Sequence, residues 1–176
     1  MKKEILEWVM AIAIAIMLIV VIRTFFFVTY TVDGLSMDPT LQDGDRVVVN
    51  KFMDNFTDYE YPEVVVFDSD MGPAYVKRVI GTPGDEVEMR DQQVYVNGEP
   101  LEEDYVVHTG ESYMDNFTLS DLGVEGDVIP EDHYLVLGDN RPVSRDGRDF
   151  GLIHEDSIVG EVQLRFWPLN EITVNF

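Results

Sequence analysis

Hydrophobic and polar positions divide the chain into two regimes. From Trp8 to Ile22 every residue is apolar, and after Arg23 and Thr24 the run resumes as Phe25 to Val28. A segment apolar on every side has no polar face to give to water, which predicts a membrane-spanning helix. The pure run is short, but extended back to Ile5 or on to Val28 it covers about 30 Å at roughly 1.5 Å per residue. The expected division is a tail at 1–4, a transmembrane anchor at 5–28 and an extracytoplasmic domain at 29–176. Trp8 and Arg23 suit the two interfaces. The residues after the core, Arg-Thr-Phe-Phe-Phe, offer no small-residue cleavage site, so an uncleaved signal anchor is expected. Lys2 and Lys3 place the N-terminus in the cytoplasm, giving a single-pass protein of the cell membrane.

Downstream the pattern shortens. Arg46–Asn50, Glu63–Phe67, Ala74–Ile80, Glu86–Met89, Gln93–Val96, Tyr134–Leu137 and Ile158–Phe166 are brief β-branched or aromatic runs between turn residues. Asn97-Gly98 is a tight-turn signal. A strand-like run, Phe25 to Val32, leads out of the anchor. The expected fold is mainly β, a mostly antiparallel β-sheet domain behind one helix, without another long helix or second span. Residues 98–132 are acidic and irregular and predict a small cap-like insertion. Met-Asp-Asn-Phe-Thr occurs at 53–57 and 114–118, but an echo without a fixed period is no structural repeat.

Composition removes several functions. Acids number 34 against 12 bases, a net charge of −22, which argues against nucleic acid as a partner. The acidity reads as a solubility feature. Without cysteine there is no disulfide, thiolate chemistry or Cys-ligated zinc. His108, His133 and His154 are scattered, so no metal or cofactor is expected. The lysines are Lys2, Lys3, Lys51 and Lys77, and only Lys77 stands in an apolar run.

Three stretches carry candidate chemistry. In Val32 to Leu41, Gly34 permits positive φ and Pro39 stiffens the chain, so Ser36 is held on a kinked segment suited to a nucleophile. The plainer reading is an Asp-Gly turn that contains a serine. In Pro73 to Ile80, Tyr75, Lys77 and Val79 share one strand face, and Val76, Arg78 and Ile80 the other. A lysine buried there loses solvation of its charged form and becomes a base; alternatively, one or both cations extend to solvent at a sheet rim. A serine needs a base to become a nucleophile, and a Ser–Lys pair is the natural hypothesis here, with Lys51 a solvated rival. In Gly138 to Gly151, Asp, Asn, Arg and Gly make a knit loop, with Asp146 and Arg148 a candidate ion pair and Ser144 a candidate partner for a catalytic group.

Together, in this order behind an anchor, these stretches resemble the type I signal peptidases, in the single-anchor form of Gram-positive bacteria. The serine box is matched by Gly34 to Leu41, the next strand box by Gly44 to Lys51, the lysine box by Tyr75 to Asp85. The last box is matched by Gly138 to Arg141 with Ser144, Asp146, Arg148 and Gly151. The resemblance implies Ser36 as acylating nucleophile and Lys77 as general base. It also implies that the Ser144 hydroxyl holds the Lys77 amine, that Asp146 and Arg148 shape the site, and that the Ser36 N–H is an oxyanion donor. Two positions depart from the family: Gly34 stands where some relatives add a hydroxyl, and Gly147 where a serine is usual.

The resemblance further implies signal peptides of secreted preproteins as substrates, cut after small residues near Gly34, Met37 and Tyr75. Membrane lipid and proximity to the secretion translocase follow, with exposed Phe25 to Phe27 and Met37 holding the site at the membrane surface. A catalytically silent signal-peptide-binding homologue is the alternative, disfavoured by intact Ser36, Lys77 and Ser144. A self-cleaving DNA repressor would need a basic helix-turn-helix in place of the anchor.

Overall fold

The computed structural model describes residues 2–51, 58–69, 72–106 and 115–176. The echo at 53–57, Met114 and His108 lie outside them. A helix, α1 (Lys2–Phe26), opens the chain, and its large apolar side chains from Ile5 to Val20 are exposed. Among the described residues no helix is long and apolar enough to cross a membrane; the side chains described in α1, those of 3–20, include Lys3, Glu4 and Glu7. The helix stops at Phe26, so Phe27 and Val28, the last residues of the expected anchor, already belong to β1 (Phe27–Thr31).

The remainder is antiparallel β. Val47 and Val49 of β2 (Arg46–Asn50) point inward while their neighbours are less buried, as period-two alternation requires. In β3 (Val64–Ser69) four successive residues are buried, because both faces of that central strand are covered. Strand β4 (Gly72–Gly81) is more exposed at its start and buried at its end. Next come β5 (Val87–Arg90), β6 (Gln93–Val96), β7 (Glu99–Pro100) and β8 (Phe117–Thr118). After them follow β9 (His133–Leu137), the single turn α2 (Gly147–Phe150), β10 (Ile153–His154) and β11 (Ile158–Trp167).

Seven strands form one sheet in the order β1-β2-β11-β3-β4-β9-β10, and four form a second, β7-β6-β5-β8. The Asn97–Gly98 turn forms with both φ positive, joining β6 to β7. Residues 98–132 are more than an irregular cap: they supply β7, β8 and a 3-10 turn, Leu119–Leu122. Phe117, Leu119 and Ile129 share a core with Val87, Met89 and Val94. The segment's described part is built in because Phe117, Leu119 and Ile129 complete that sheet's buried face. Two further cores lie around the long sheet, one with Met37, Val47 and Val66, the other with Phe67, Val79 and Tyr134.

Candidate active site

Val32 leaves β1 tied in both directions: its N–H donates to Asp45 O at 2.8 Å, and Gly44 N–H donates to Val32 O at 3.0 Å. Gly34 follows at φ +94, a conformation that strains residues with a side chain. Its N–H donates to Asp43 Oδ1 at 2.8 Å. Residues 35–41 then coil, with Asp38 N–H donating to Leu35 O and Leu41 N–H to Met37 O. Met37 and Leu41 are fully buried. Met37 is therefore not the exposed residue that the sequence suggested: its apolar side chain plugs the core with Val32 and Val47 and supports the turn from beneath. Ser36, between these anchors, is half-buried.

Strand β4 brings Lys77 to it. Lys77 Nζ donates to Ser36 Oγ at 2.8 Å and to Val76 O at 2.8 Å. Lys77 is 2% exposed and Arg78 fully buried, so neither cation reaches out to solvent at a rim. Burial lowers the Lys77 pKa from 10.5 to about 8, against the opposing pull of Asp146 and Asp139. Both carboxylates are engaged by arginines. Arg78 donates to Asp139 from Nε at 2.8 Å and Nη2 at 2.6 Å; Arg148 donates to Asp146 from Nε and Nη2, each at 2.8 Å. Charge already neutralised by a bidentate guanidinium is a weak counter-ion for the lysine, which is why desolvation prevails.

The loop after β9 closes the site. Gly138 N–H donates to the buried Asp146 carboxylate at 2.9 Å, and Asp146 caps α2 through the Arg148 N–H at 3.3 Å. Asn140 donates from its N–H to Ser36 O and from Nδ2 to Leu35 O, both at 3.0 Å. A Cβ at Gly138 would lie 2.2 Å from Ser144 Oγ and 2.5 Å from Ser36 O. Only glycine permits this approach. The structure thus gathers Ser36, Lys77, Asp146, Arg148 and Ser144, but the Ser144 hydroxyl is buried without a hydrogen-bond partner. The contact with the Lys77 amine that the family resemblance implies is not made.

An open groove of about 540 Å³ leads to Ser36 and Lys77. Tyr30, Val32, Val47, Val66, Ala74 and Val76 are among its walls. Tyr75 lines it too, its ring stacked on Phe150 at 6.1 Å and 5.4 Å from Lys77 Nζ. Gly34 and Met37 are not wall residues. His133 and His154 face a different cavity, Lys51 is exposed, and among the described residues no three His, Asp or Glu are grouped to hold a metal. Sequence reasoning missed the partners of the loop: Arg78 with Asp139, Thr40 donating to Asp139 at 2.5 Å, and Asn140. The available signal was a second cation, Arg78, in the same apolar strand as Lys77.

The model of the family described as "Signal peptidase, peptidase S26" matches residues 5–167. Signal peptidase IB of Staphylococcus aureus (strain MRSA252) is 46% identical over 184 aligned positions, covering 100% of this chain and 96% of the relative. Signal peptidase I of Bacillus amyloliquefaciens is 41% identical over 174 positions, 97% of this chain and 92% of the relative. The crystal structure of a signal peptidase I from Enterococcus faecalis V583 superposes with a TM-score of 0.54 at 39% identity, over 60% of this chain and 97% of the other.

Proposed function

The chain belongs to the peptidase S26 family of signal peptidases and is a hydrolase of the signal peptidase I type, and from this we propose that it is a membrane-bound serine endopeptidase that removes signal peptides from secreted preproteins with a Ser36–Lys77 dyad. The observation that carries the dyad is the 2.8 Å contact between Lys77 Nζ and Ser36 Oγ, made by a lysine whose burial brings its pKa to about 8. A neutral amine keeps N–H groups for Val76 O and offers its lone pair to the Ser36 proton.

The chemistry follows from that contact. The substrate lies extended in the groove beside β4, adding main-chain hydrogen bonds, with small side chains at the first and third positions before the cut facing Val32, Val66 and Val76. Ser36 Oγ bonds to the scissile carbonyl carbon as Lys77 takes its proton. The Ser36 N–H stabilises the oxyanion, and the neighbouring Gly34 adds no hydroxyl to it. The C–N bond breaks, the amine leaves with the proton from Lys77, and an acyl-enzyme remains. Water, deprotonated by Lys77, releases the signal peptide. Asp146 and Arg148 brace the loop, and Tyr75 walls the groove. Met37 supports the Ser36 turn from the core.

We place α1 in the bilayer, with the N-terminus cytoplasmic and the β domain outside. Twenty-five residues span about 37 Å at roughly 1.5 Å per residue, the described side chains from Trp8 to Val20 are exposed and apolar, and Phe27 is exposed just past the helix. That location puts the site where signal peptides end, near the translocase. The deciding experiment is cleavage of a preprotein by the full chain in detergent or lipid, beside Ser36→Ala and Lys77→Ala. Cut product from the wild type alone supports the dyad; unchanged cutting by either variant overturns it. Resistance of the chain to alkaline carbonate extraction from membranes tests the anchor.

A further inference from the structure

Two side chains from the 98–132 segment reach the catalytic loop. Glu103 forms an ion pair with Arg141, the two side chains 5% and 1% exposed, and Arg141 Nε donates to Gly138 O at 2.9 Å. Tyr105 lays its ring against Arg78, whose guanidinium carbon is 3.9 Å from the ring centroid. Arg78 in turn grips Asp139 with two hydrogen bonds. The Tyr105 hydroxyl donates to Glu103 Oε1 at 3.0 Å, tying the two arms together.

The arms arrive on successive residues, Gly138 and Asp139. The next residue, Asn140, holds the backbone of Leu35 and Ser36. We propose that Glu103 and Tyr105 are positioning residues for peptide cleavage: through Arg141 and Arg78 they fix the 138–140 turn, and through it the placement of Ser36 against Lys77. This rests on the dyad reading above. Arg141 owes its charge compensation to a residue 38 positions earlier in the chain; removing that carboxylate leaves a buried guanidinium free to leave Gly138 O for solvent. The turn then gains freedom, and reactive geometry degrades steeply with small displacements.

The test uses the full chain with a preprotein substrate. Glu103→Gln keeps the shape and loses the charge. The expected result is kcat lowered about tenfold with KM within about twofold, partly rescued in Glu103→Asp, and faster hydrogen exchange at the Asn140 amide. A purely structural role would lower the melting temperature and leave kcat of the folded fraction unchanged, and that result overturns the proposal. Should Glu103→Gln fail to fold, Glu103→Met combined with Arg141→Met replaces the pair by packed apolar groups; wild-type kcat in that folded double variant also overturns it. A dead Ser36→Ala beside a fully active Glu103→Gln sinks the positioning role alone, whereas an active Ser36→Ala sinks the dyad and the positioning role with it.

Discussion

Lys77 Nζ stands 2.8 Å from Ser36 Oγ and bonds otherwise to the carbonyl of its own neighbour, Val76. The lysine therefore depends on one backbone group and on Ser36 for its orientation. The carboxylates nearest to it in charge, Asp139 and Asp146, are each committed to an arginine. A buried amine with no dedicated counter-ion is a base at mildly alkaline pH.

The pH dependence follows directly. In the proposed dyad Lys77 must be neutral to take the Ser36 proton, and burial brings its pKa to about 8. Cleavage should rise through about pH 8 and level off above it, with kcat/KM of the wild type measured from pH 6 to 10 as the check. Lys77→Arg should be inactive across that range, because a guanidinium stays protonated.

The same burial has a stability consequence. Unfolded, Lys77 keeps its proton up to about pH 10.5; folded, only to about 8. Between those values the unfolded chain binds more protons, so this group makes folding more favourable as pH rises. Below pH 8 the full penalty of burying the ammonium applies, up to about 3 kcal/mol for such a lowering. Lys77→Met should therefore be more stable than wild type at pH 7 by about 1–3 kcal/mol, with the gap narrowing toward pH 10, while cleaving nothing. Thermal unfolding at pH 7 and 10 measures it.

Strands β2 to β6, β9 and β11 were legible because short β-branched or aromatic runs between turn residues are a local signal, whereas the two-residue β10 carries no such run. Ser36 and Lys77 stood out as candidates because a kinked serine and a cation inside an apolar run are local features as well; their 2.8 Å contact comes from the fold. The point where the anchor ends and the strand begins was not legible: Phe27 and Val28 fit both the apolar anchor and the strand-like run from Phe25, and only pairing with Val49 and Asn50 assigns them to β1. The role of 98–132 was hidden for a related reason. Its acidic surface masks Phe117, Leu119 and Ile129, whose burial depends on a sheet assembled elsewhere. Arg141 with Glu103, and Arg78 with Asp139, join residues 38 and 61 positions apart, beyond any pattern of spacing.

Gly138 is required for its lack of a side chain. A methyl group there meets Ser144 Oγ at 2.2 Å, Ser36 O at 2.5 Å and Ser144 Cβ at 2.6 Å; rotating Ser144 relieves only the first, so backbone at Ser36 and Ser144 must move. Gly138→Ala should retain the fold, with circular dichroism unchanged, and lose about 100-fold in kcat, the scale of a displacement near 1 Å. Gly147→Ser differs in kind. Its Cβ meets Leu135 Cδ1 at 2.7 Å and Val136 O at 2.9 Å in β9, so it should lower stability by about 1–3 kcal/mol, read by chemical denaturation.

Ser144 provides a test that separates stability from a proposed role in the reaction. Its buried hydroxyl has no partner in this structure, and an unpaired buried hydroxyl costs about 1–3 kcal/mol. Ser144→Ala should therefore leave the melting temperature unchanged or raise it. If the hydroxyl accepts a hydrogen bond from the Lys77 amine once Ser36 is acylated and no longer bonds to it, the same variant should lose about 10- to 100-fold in kcat, the scale of a supporting acid–base group. Acylation and deacylation rates, separated by single-turnover kinetics, locate the effect: slow deacylation with normal acylation is the expected pattern. Wild-type rates in both steps would remove Ser144 from the machinery and leave it only the space beside Gly138.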